Sequence, residues 1–404
     1  RNKHFFILSA AGKPIFSLYG SDELVTSYTA VIQAFVNYFN DPNSSTRLKS
    51  FKSSNILFVI EQKDTLIYAA ASKLGESELQ LQSQLDILHT QILSTLTSPQ
   101  LLKAFQNRQN FDLRKLLSGT DVFLSALSRS MALGSPPILL GALECLYLTQ
   151  HARMKIADCL LKGRVPSMLY GLIVADSRLV AIARPRRESL HPPDLQLLFS
   201  MLFHTSVFQN GEEHWVPICL PKFNSKGFLY AYIHFFQPGV ALVLISADRH
   251  SFFSLKEAKN TILDKMHSTN SIQPIEESIK NGRNFLSHLN AAPIRHFLFK
   301  SRKLVQLAMP DYPPYFHSDS DASQLMSVYR HLHTLIHGPY SSFRSLHAVN
   351  KSASAMVWVT NEFEVYCVSG PYVKRSALTK SLNQLVSWIY AHEKRLFIHD
   401  GAVF

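Results

Sequence analysis

One order of elements recurs three times along this chain, and that recurrence limits its possible folds more than any single motif does. KHFFILSAAGKPIFSLYG, Lys3 to Gly20, alternates on both sides of Gly12-Lys13 and reads as two short strands that bury one face. Ser21 then suits an N-cap, with Asp22 and Glu23 well placed in the first turn of a helix running to Asn40. Along that helix Leu24, Tyr28, Val31, Ile32, Phe35, Val36 and Phe39 recur at helical spacing and form the apolar side. The opposite side is a narrow stripe of mostly small residues: Glu23, Ser27, Ala30, Ala34 and Asn37. Small outward residues admit a second backbone closely; they equally suit a neutral solvent face made of good helix formers. A loop at Asp41–Ser45 follows, then three strand-sized segments, RLKSFKSS, NILFVIEQ and DTLIYAAAS. ELQLQSQLDILHTQILSTL closes the unit as a helix whose apolar face is Leu81, Leu85, Leu88, Ile92 and Leu96.

Residues 98–163 carry no strand signal and read as a helical connector broken at Pro136-Pro137. Its last part, ILLGALECLYLTQHARMKIADCLLKG, is apolar nearly all round until Gln150, which implies burial between layers or domains. The unit then returns. MLYGLIVADSRLVAIARP is a hairpin turning at Asp176-Ser177, DLQLLFSMLFHTSVFQ a helix, and HWVPICLPKF, FLYAYIHFF and VALVLISA are strands before the helix SLKEAKNTILDKM. Polar residues from His267 to Asn284 read as a solvated helix or linker. The third copy opens with RHFLFKSRKLVQLAMP, turning at Lys300-Ser301-Arg302, passes a Pro- and Ser-rich loop, and repeats the order to its final helix SALTKSLNQLVSWIYAHEKR. Strands and helices mixed in this way predict an α+β fold, each unit a five-stranded antiparallel sheet with helices packed on it. The unit lengths vary too much for a solenoid. The chain therefore reads as three similar domains over residues 1–135 (with a helical extension), 136–285 and 286–404.

The totals agree. At 404 residues and 46% hydrophobic, the chain can bury large cores, and 17% charged residues mark it as globular. It opens at Arg1 rather than Met, which points to sequence upstream, and GKPIFSLYG continues the strand alternation too directly for a signal peptide. The best candidate for a membrane span, Phe228 to Ala247, has Gln237-Pro238-Gly239 at its centre, so it reads as a hairpin. Cys145, Cys159, Cys219 and Cys367 have no CxxC spacing and suit a reduced, cytoplasmic setting. A formal charge of +12 attracts polyanions, although many soluble proteins are simply basic.

Motifs for covalent chemistry are missing: no GxxxxGK[ST], GxSxG, HExxH or EF-hand loop occurs. His331, His333 and His337 make the densest histidine cluster, but no acid stands where a third ligand would be needed, so no metal is assigned. Cys219 and Cys367 lie in strand-like segments as inert buried thiols, and the lone carboxylates Glu61 and Glu144 read as caps or edge groups. Basic clusters follow the second hairpin (Arg184, Arg186, Arg187) and occupy the third hairpin's turn (Lys300, Arg302, Lys303), with Lys374-Arg375 ending the last strand. Sharing one face, they would suit anionic lipid headgroups. Nucleic acid is disfavoured because the aromatics are committed to sheets and helix faces.

KHFFILSAAGKPIFSLYG and GALECLYLTQHARMKIADCLLKGRVPSMLYGLIVADSRLVAIARP closely resemble the SAND (Mon-one) family of vacuolar fusion proteins. The resemblance in element order extends from Lys3 to the C-terminus. It implies three longin domains in series and an obligate heterodimer with a second triple-longin subunit, the family's Ccz partner. It also implies activity as a guanine nucleotide exchange factor for the late-endosomal and vacuolar Rab GTPase. Such a factor works without a cofactor and is recruited peripherally to phosphoinositide-containing membranes. Carried onto this sequence, the exchange platform falls on Ile15, Ser17 and Tyr19 and on the stripe Glu23, Ser27, Ala30, Ala34 and Asn37. The family usually has a low-complexity N-terminal extension, whereas this chain starts at the first strand. A non-catalytic longin scaffold, such as a coat, tether or adaptor subunit, is the competing reading.

Overall fold

A computed structural model describes residues 2–39, 47–107, 111–289, 291–338, 341–399 and 401–404. The Asp41–Ser45 loop and Asn40 lie outside them. Two compact units divide the chain: Arg1–Leu139 with Cys219–Gly227 and His333–Pro339, and Leu140–Ile218 with Phe228–Leu332 and Tyr340–Phe404.

The first unit begins with β1 (Lys3–Ser9), β2 (Pro14–Ser17), α1 (Asp22–Phe39), β3 (Ser50–Ser53), β4 (Ile56–Lys63), β5 (Leu66–Ser72) and α2 (Glu78–Thr95). The strands form one antiparallel sheet in the order β2-β1-β5-β4-β3. Gly12 holds a φ of +80° in the β1–β2 turn, and a Cβ there would come within 3.2 Å of the Gln33 side chain on α1. Strand alternation sends Phe6 and Leu8 beneath α1, into a cluster with Val36, Ile60, Ile67 and Ala69. On α2, Leu81, Leu85, Leu88 and Ile92 are fully buried, as the helical spacing predicts. Ser77 caps α2 through a reciprocal box: its Oγ accepts from the Gln80 N–H, and Gln80 Oε1 accepts from the Ser77 N–H. The short α3 (Ser98–Asn107), α4 (Arg114–Leu117), α5 (Asp121–Leu133) and α6 (Pro136–Leu140) follow.

The second unit opens with β6 (Leu143–Glu144) and α7 (Gln150–Lys162). The segment 141–149 is therefore extended, not helical; a short run that is apolar on every side fits a buried strand as well as a buried helix. The next sheet is built from β7 (Tyr170–Ala175), β8 (Arg178–Arg184), α8 (Pro192–Phe203), β9 (Glu213–Leu220), α9 (Pro221–Asn224), β10 (Ser225–Gln237), β11 (Val240–Ser246) and α10 (Phe252–Ser268). Its order, β8-β7-β11-β10-β9, repeats that of the first. Asp176 and Ser177 both hold positive φ, giving the tight hairpin turn expected there. Gly163 lets α7 end against α10, where a Cβ would sit 2.3 Å from Ile262 Cγ1. The candidate span is the β10–β11 hairpin, and among the described residues no helix is long and apolar enough to cross a membrane.

After α11 (Gln273–Asn281) the third sheet comprises β12 (Ile294–Ser301), β13 (Gln306–Ala308), α12 (Asp319–Ile336), β14 (Ser345–Val349), β15 (Ser354–Val359), β16 (Phe363–Ser369) and α13 (Arg375–Ala391), then α14 (Glu393–Leu396) and β17 (Ala402–Val403). The order β13-β12-β16-β15-β14 appears a third time. Lys300 and Ser301 belong to β12, so the turn falls at residues 302–305, later than the charged tripeptide implied.

The second and third sheets exchange strands. β6 pairs in parallel with β13 in the third sheet, Cys145 bridges in parallel to Leu179 on β8, and β17 pairs in parallel with the end of β8 in the second. Buried Arg153 on α7 donates to the carbonyls of Leu146, Val180 and Arg395 at 2.8–2.9 Å, tying the linker, β8 and α14 together. Glu144, expected at a cap or edge, is instead buried and ion-paired with Arg283, which also reaches Asp311 at 3.0 Å. Arg283 belongs to the His267–Asn284 stretch expected to be solvated; within it, α11 buries Ile275.

Lys3 and Glu76 form a fully buried pair at 2.6 Å, with Ser72 and Gln84 also donating to the carboxylate. Burial alone would raise the Glu76 carboxyl, but Lys3 and these donors outweigh it and hold the group below its ordinary value of 4.5. Breaking the pair with Lys3→Met is expected to cost about 3–5 kcal/mol by urea unfolding, while Lys3→Met with Glu76→Leu costs much less. Burial holds His89 at about 4 and His296 at about 3, against 6.5 for an ordinary imidazole. In between, the unfolded chain binds more protons than the folded one, so stability rises with pH. Chemical denaturation across this range is expected to show stability falling as pH drops below 6.5, with the depressed Glu76 carboxyl adding to the fall below 4.5.

Candidate functional site: an exposed helix face beside a sheet edge

Three stripes run along α1, set by about 100° of rotation per residue. Val25, Thr29, Ile32 and Val36 face the sheet; Thr29 is fully buried because its hydroxyl bonds the carbonyls of Val25 and Thr26. One position away lie Leu24, Tyr28, Val31, Phe35 and Tyr38, spaced four-three-four-three, and every one is exposed. Val31 keeps 53% of its surface and Tyr38 83%. The sequence reading grouped Leu24, Tyr28, Val31, Phe35 and Phe39 with the buried Val36 on one apolar side. The structure corrects this: the sheet face under α1 is narrow and takes only one of two adjacent apolar stripes. Glu23, Ser27, Ala30, Ala34 and Asn37 form the third stripe, exposed as expected.

The strand residues named with that stripe are placed differently. Ile15 is buried at 8% exposure, so its side chain is not available to a partner. Ser17 is half-buried; its Oγ lies 2.9 Å from His4 Nε2 and donates to the Tyr19 carbonyl. Tyr19 packs edge-on against His4. What β2 offers is backbone. It is the outer strand of its sheet, and among the described residues no strand pairs with its far side. The corresponding strands β8 and β13 both have added neighbours. The helices corresponding to α1 are also better covered: α8 buries Leu195, Leu197, Leu198, Phe199 and Leu202, and α12 buries Leu325, Met326, Tyr329 and Leu332.

The six basic residues do not converge. Lys300 and Arg302 flank the buried Glu364 carboxylate at 3.8 Å, and Arg302 donates to the Thr360 carbonyl. Arg184 is half-buried at the end of β8, while Arg186, Arg187 and Lys303 are exposed. Residues 143–146 run parallel to both β8 and β13. Arg186 follows the end of β8 and Lys303 precedes the start of β13, so the clusters lie at opposite ends of these strands.

Burial pushes the Cys367 thiol up to about 12 and Cys145 to about 11, and Cys219 is buried too, so these cysteines are inert core groups. The His333 and His337 rings lie tilted against each other with centres 4.4 Å apart. Among the described residues no three His, Cys, Asp or Glu side chains are grouped to hold a metal ion.

Family models described as the first, second and third longin domains of FUZ, MON1 and HPS1 match residues 3–127, 166–264 and 293–393 in that order. Vacuolar fusion protein MON1 of Yarrowia lipolytica is 49% identical over all of this chain and 75% of its own length. Protein SAND of Takifugu rubripes is 33% identical over 98% of this chain and 76% of its own. This chain belongs to the MON1/SAND family. Vacuolar fusion protein MON1 homolog A of Bos taurus is 31% identical over 98% of this chain and 71% of its own.

In this MON1/SAND chain the four-three spacing of Leu24, Tyr28, Val31, Phe35 and Tyr38 was the legible signal for a second apolar seam. Because Val36 lies in the buried stripe, Val36→Ala is expected to cost about 2 kcal/mol in thermal or urea unfolding. Tyr38→Ser and Val31→Ser stay within about 0.5 kcal/mol of the parent.

Proposed function

We propose that this chain is one subunit of a heterodimeric guanine nucleotide exchange factor acting in endosome maturation and vacuole fusion. Its partner would be a second triple-longin chain, the Ccz partner, and its target the late-endosomal and vacuolar Rab GTPase. The observation that carries this reading is the exposed apolar stripe of α1 beside the edge of β2, a hairpin edge that among the described residues is left unpaired on the first sheet and covered on the other two. Contiguous exposed apolar surface marks a partner site, and an open edge adds a strand from another sheet through backbone hydrogen bonds. Together they suit a platform of two longin domains side by side, on which a GTPase docks.

Exchange needs no acid, base or nucleophile from this chain. Binding energy directed at a GTPase with an open switch region favours the state that grips magnesium and nucleotide weakly, and GTP then re-enters from solution. The small stripe of Ala30 and Ala34 lets a backbone approach α1 closely, and the neighbouring seam supplies apolar area. The protein would work in the cytoplasm and reach late-endosomal and vacuolar membranes peripherally, through basic surface such as Arg186 and Arg187.

Nucleotide release from the Rab is the decisive measurement, made with the purified pair. Val31→Arg, or Ala30→Arg with Ala34→Arg, is expected to lower the accelerated rate at least about tenfold, the cost of a charge buried in an interface. Parent-like heterodimer formation and release in both variants overturn the assignment. If the parent pair binds the Rab without accelerating release, the chain is a scaffold. Flotation with phosphatidylinositol 3-phosphate vesicles tests the membrane role: Arg186→Glu is expected to bind more weakly, and equal binding argues against it.

A further inference from the structure

The second sheet gathers cations and one outward aromatic at a single end. β7 pairs antiparallel with both β8 and β11, so β8 and β11 run the same way and finish together, two strand spacings or about 10 Å apart. Arg186 and Arg187 follow β8, and the turn Asp248–Phe253 follows β11. Arg164 precedes β7 at the same end, where Ser167 Oγ meets Ser254 Oγ at 3.0 Å. Arg164, Arg186, Arg187, Arg249 and His250 are all exposed there. Among the described residues none of these arginines makes an ion pair with a carboxylate.

The turn is built to present its aromatic. Asp248 Oδ1 accepts from the His250 N–H, and Ser251 Oγ donates to the Asp248 carbonyl, so the acid is occupied in holding the turn. Phe252 is locked against Trp215 and Tyr232. Phe253, next to it, packs only at its edge on Phe252 and is 75% exposed. The corresponding turn of the third sheet repeats the chemistry, with Tyr372 70% exposed just before Lys374 and Arg375. The first sheet's turn, Lys73-Leu74-Gly75, has no aromatic.

We infer that the Asp248–Phe253 turn is a membrane anchor: Phe253 enters the headgroup–acyl boundary of an acidic leaflet while Arg249 and the Arg186–Arg187 loop lie among its phosphates. This rests on the membrane role proposed above and adds an inserting side chain to it. Charge complementarity selects the occupant, because a ring framed by arginines that have no carboxylate partner among the described residues (Arg249 donates to His250 Nε2 and Arg164 lies over the Phe404 ring) matches a surface that is anionic outside and apolar beneath. An acidic protein would match the cations but offers no apolar layer for a single projecting ring.

The test uses the full chain and phosphatidylcholine vesicles containing about a fifth phosphatidylserine, with and without phosphatidylinositol 3-phosphate. Phe253→Ser and Arg249→Glu are each expected to weaken binding about fivefold or more. Lys303→Glu, at the far end of the strands, should bind like the parent. Phe253→Trp should bind as the parent does and gain emission that brominated lipids quench. Because Phe253 is exposed, parent-like melting of Phe253→Ser confirms that a loss reflects the surface and not the fold. Parent-like binding by Phe253→Ser overturns the anchor; if Arg186→Glu still weakens binding, the electrostatic membrane role survives without it. Equal binding by every variant removes both.

Discussion

A five-stranded sheet of order 2-1-5-4-3 sets a constraint from which the rest of this molecule follows. Its central strand is buried on both faces: every residue of β11 and β16 is buried, and nearly every residue of β5. Such a strand requires helices on both sides, and the two outer strands still leave rows of backbone donors and acceptors open. The chain meets this requirement three times and covers the resulting faces and edges differently each time. Those differences distinguish the copies more than the strands themselves do.

In the second and third sheets the hairpin edge is closed from within. β6 lies against β13 and β17 against β8, and the Arg153 guanidinium gathers carbonyls from three segments between them. A buried guanidinium is costly unless its donors are used, and here backbone oxygens that would otherwise lack partners use them. Gln306 supports the same junction, exchanging two hydrogen bonds with the Ile398 backbone. Among the described residues the first sheet has no such covering on β2, and α1 lies over it with an apolar stripe still facing solvent. Closure in two copies, and openness in one among the described residues, is the physical basis for proposing partner contacts on the first.

Much of the fold was legible because strand alternation and helix spacing are strong local signals. The three hairpins, the Asp176-Ser177 turn and the buried face of α2 all follow from them. Less was legible wherever two structures share one pattern. Residues 141–149 are apolar on all sides, which a buried strand and a buried helix both require. On α1 two apolar stripes lie side by side, and only the width of the sheet beneath decides which is buried. Glu144 looked isolated because its partner Arg283 is distant in sequence. The Lys300–Lys303 cluster looked like a headgroup site because Glu364, which claims two of its members, lies on a strand much later in the chain.

The exchanged strands also bear on how the molecule is made. β8 is complete at Arg184, but the strand that closes its end, Ala402–Val403, leaves the ribosome only after the entire third sheet. During synthesis the second sheet therefore carries a raw edge for as long as the intervening chain takes to emerge. An edge of that kind recruits whatever strand is nearest. The parallel bridge from Cys145 to Leu179, made from sequence already synthesised, guards the other end of β8 in the meantime. That bridge stays in the finished fold, and because β6 completes the third sheet while β17 completes the second, neither sheet is whole until the last residues of the chain are in place.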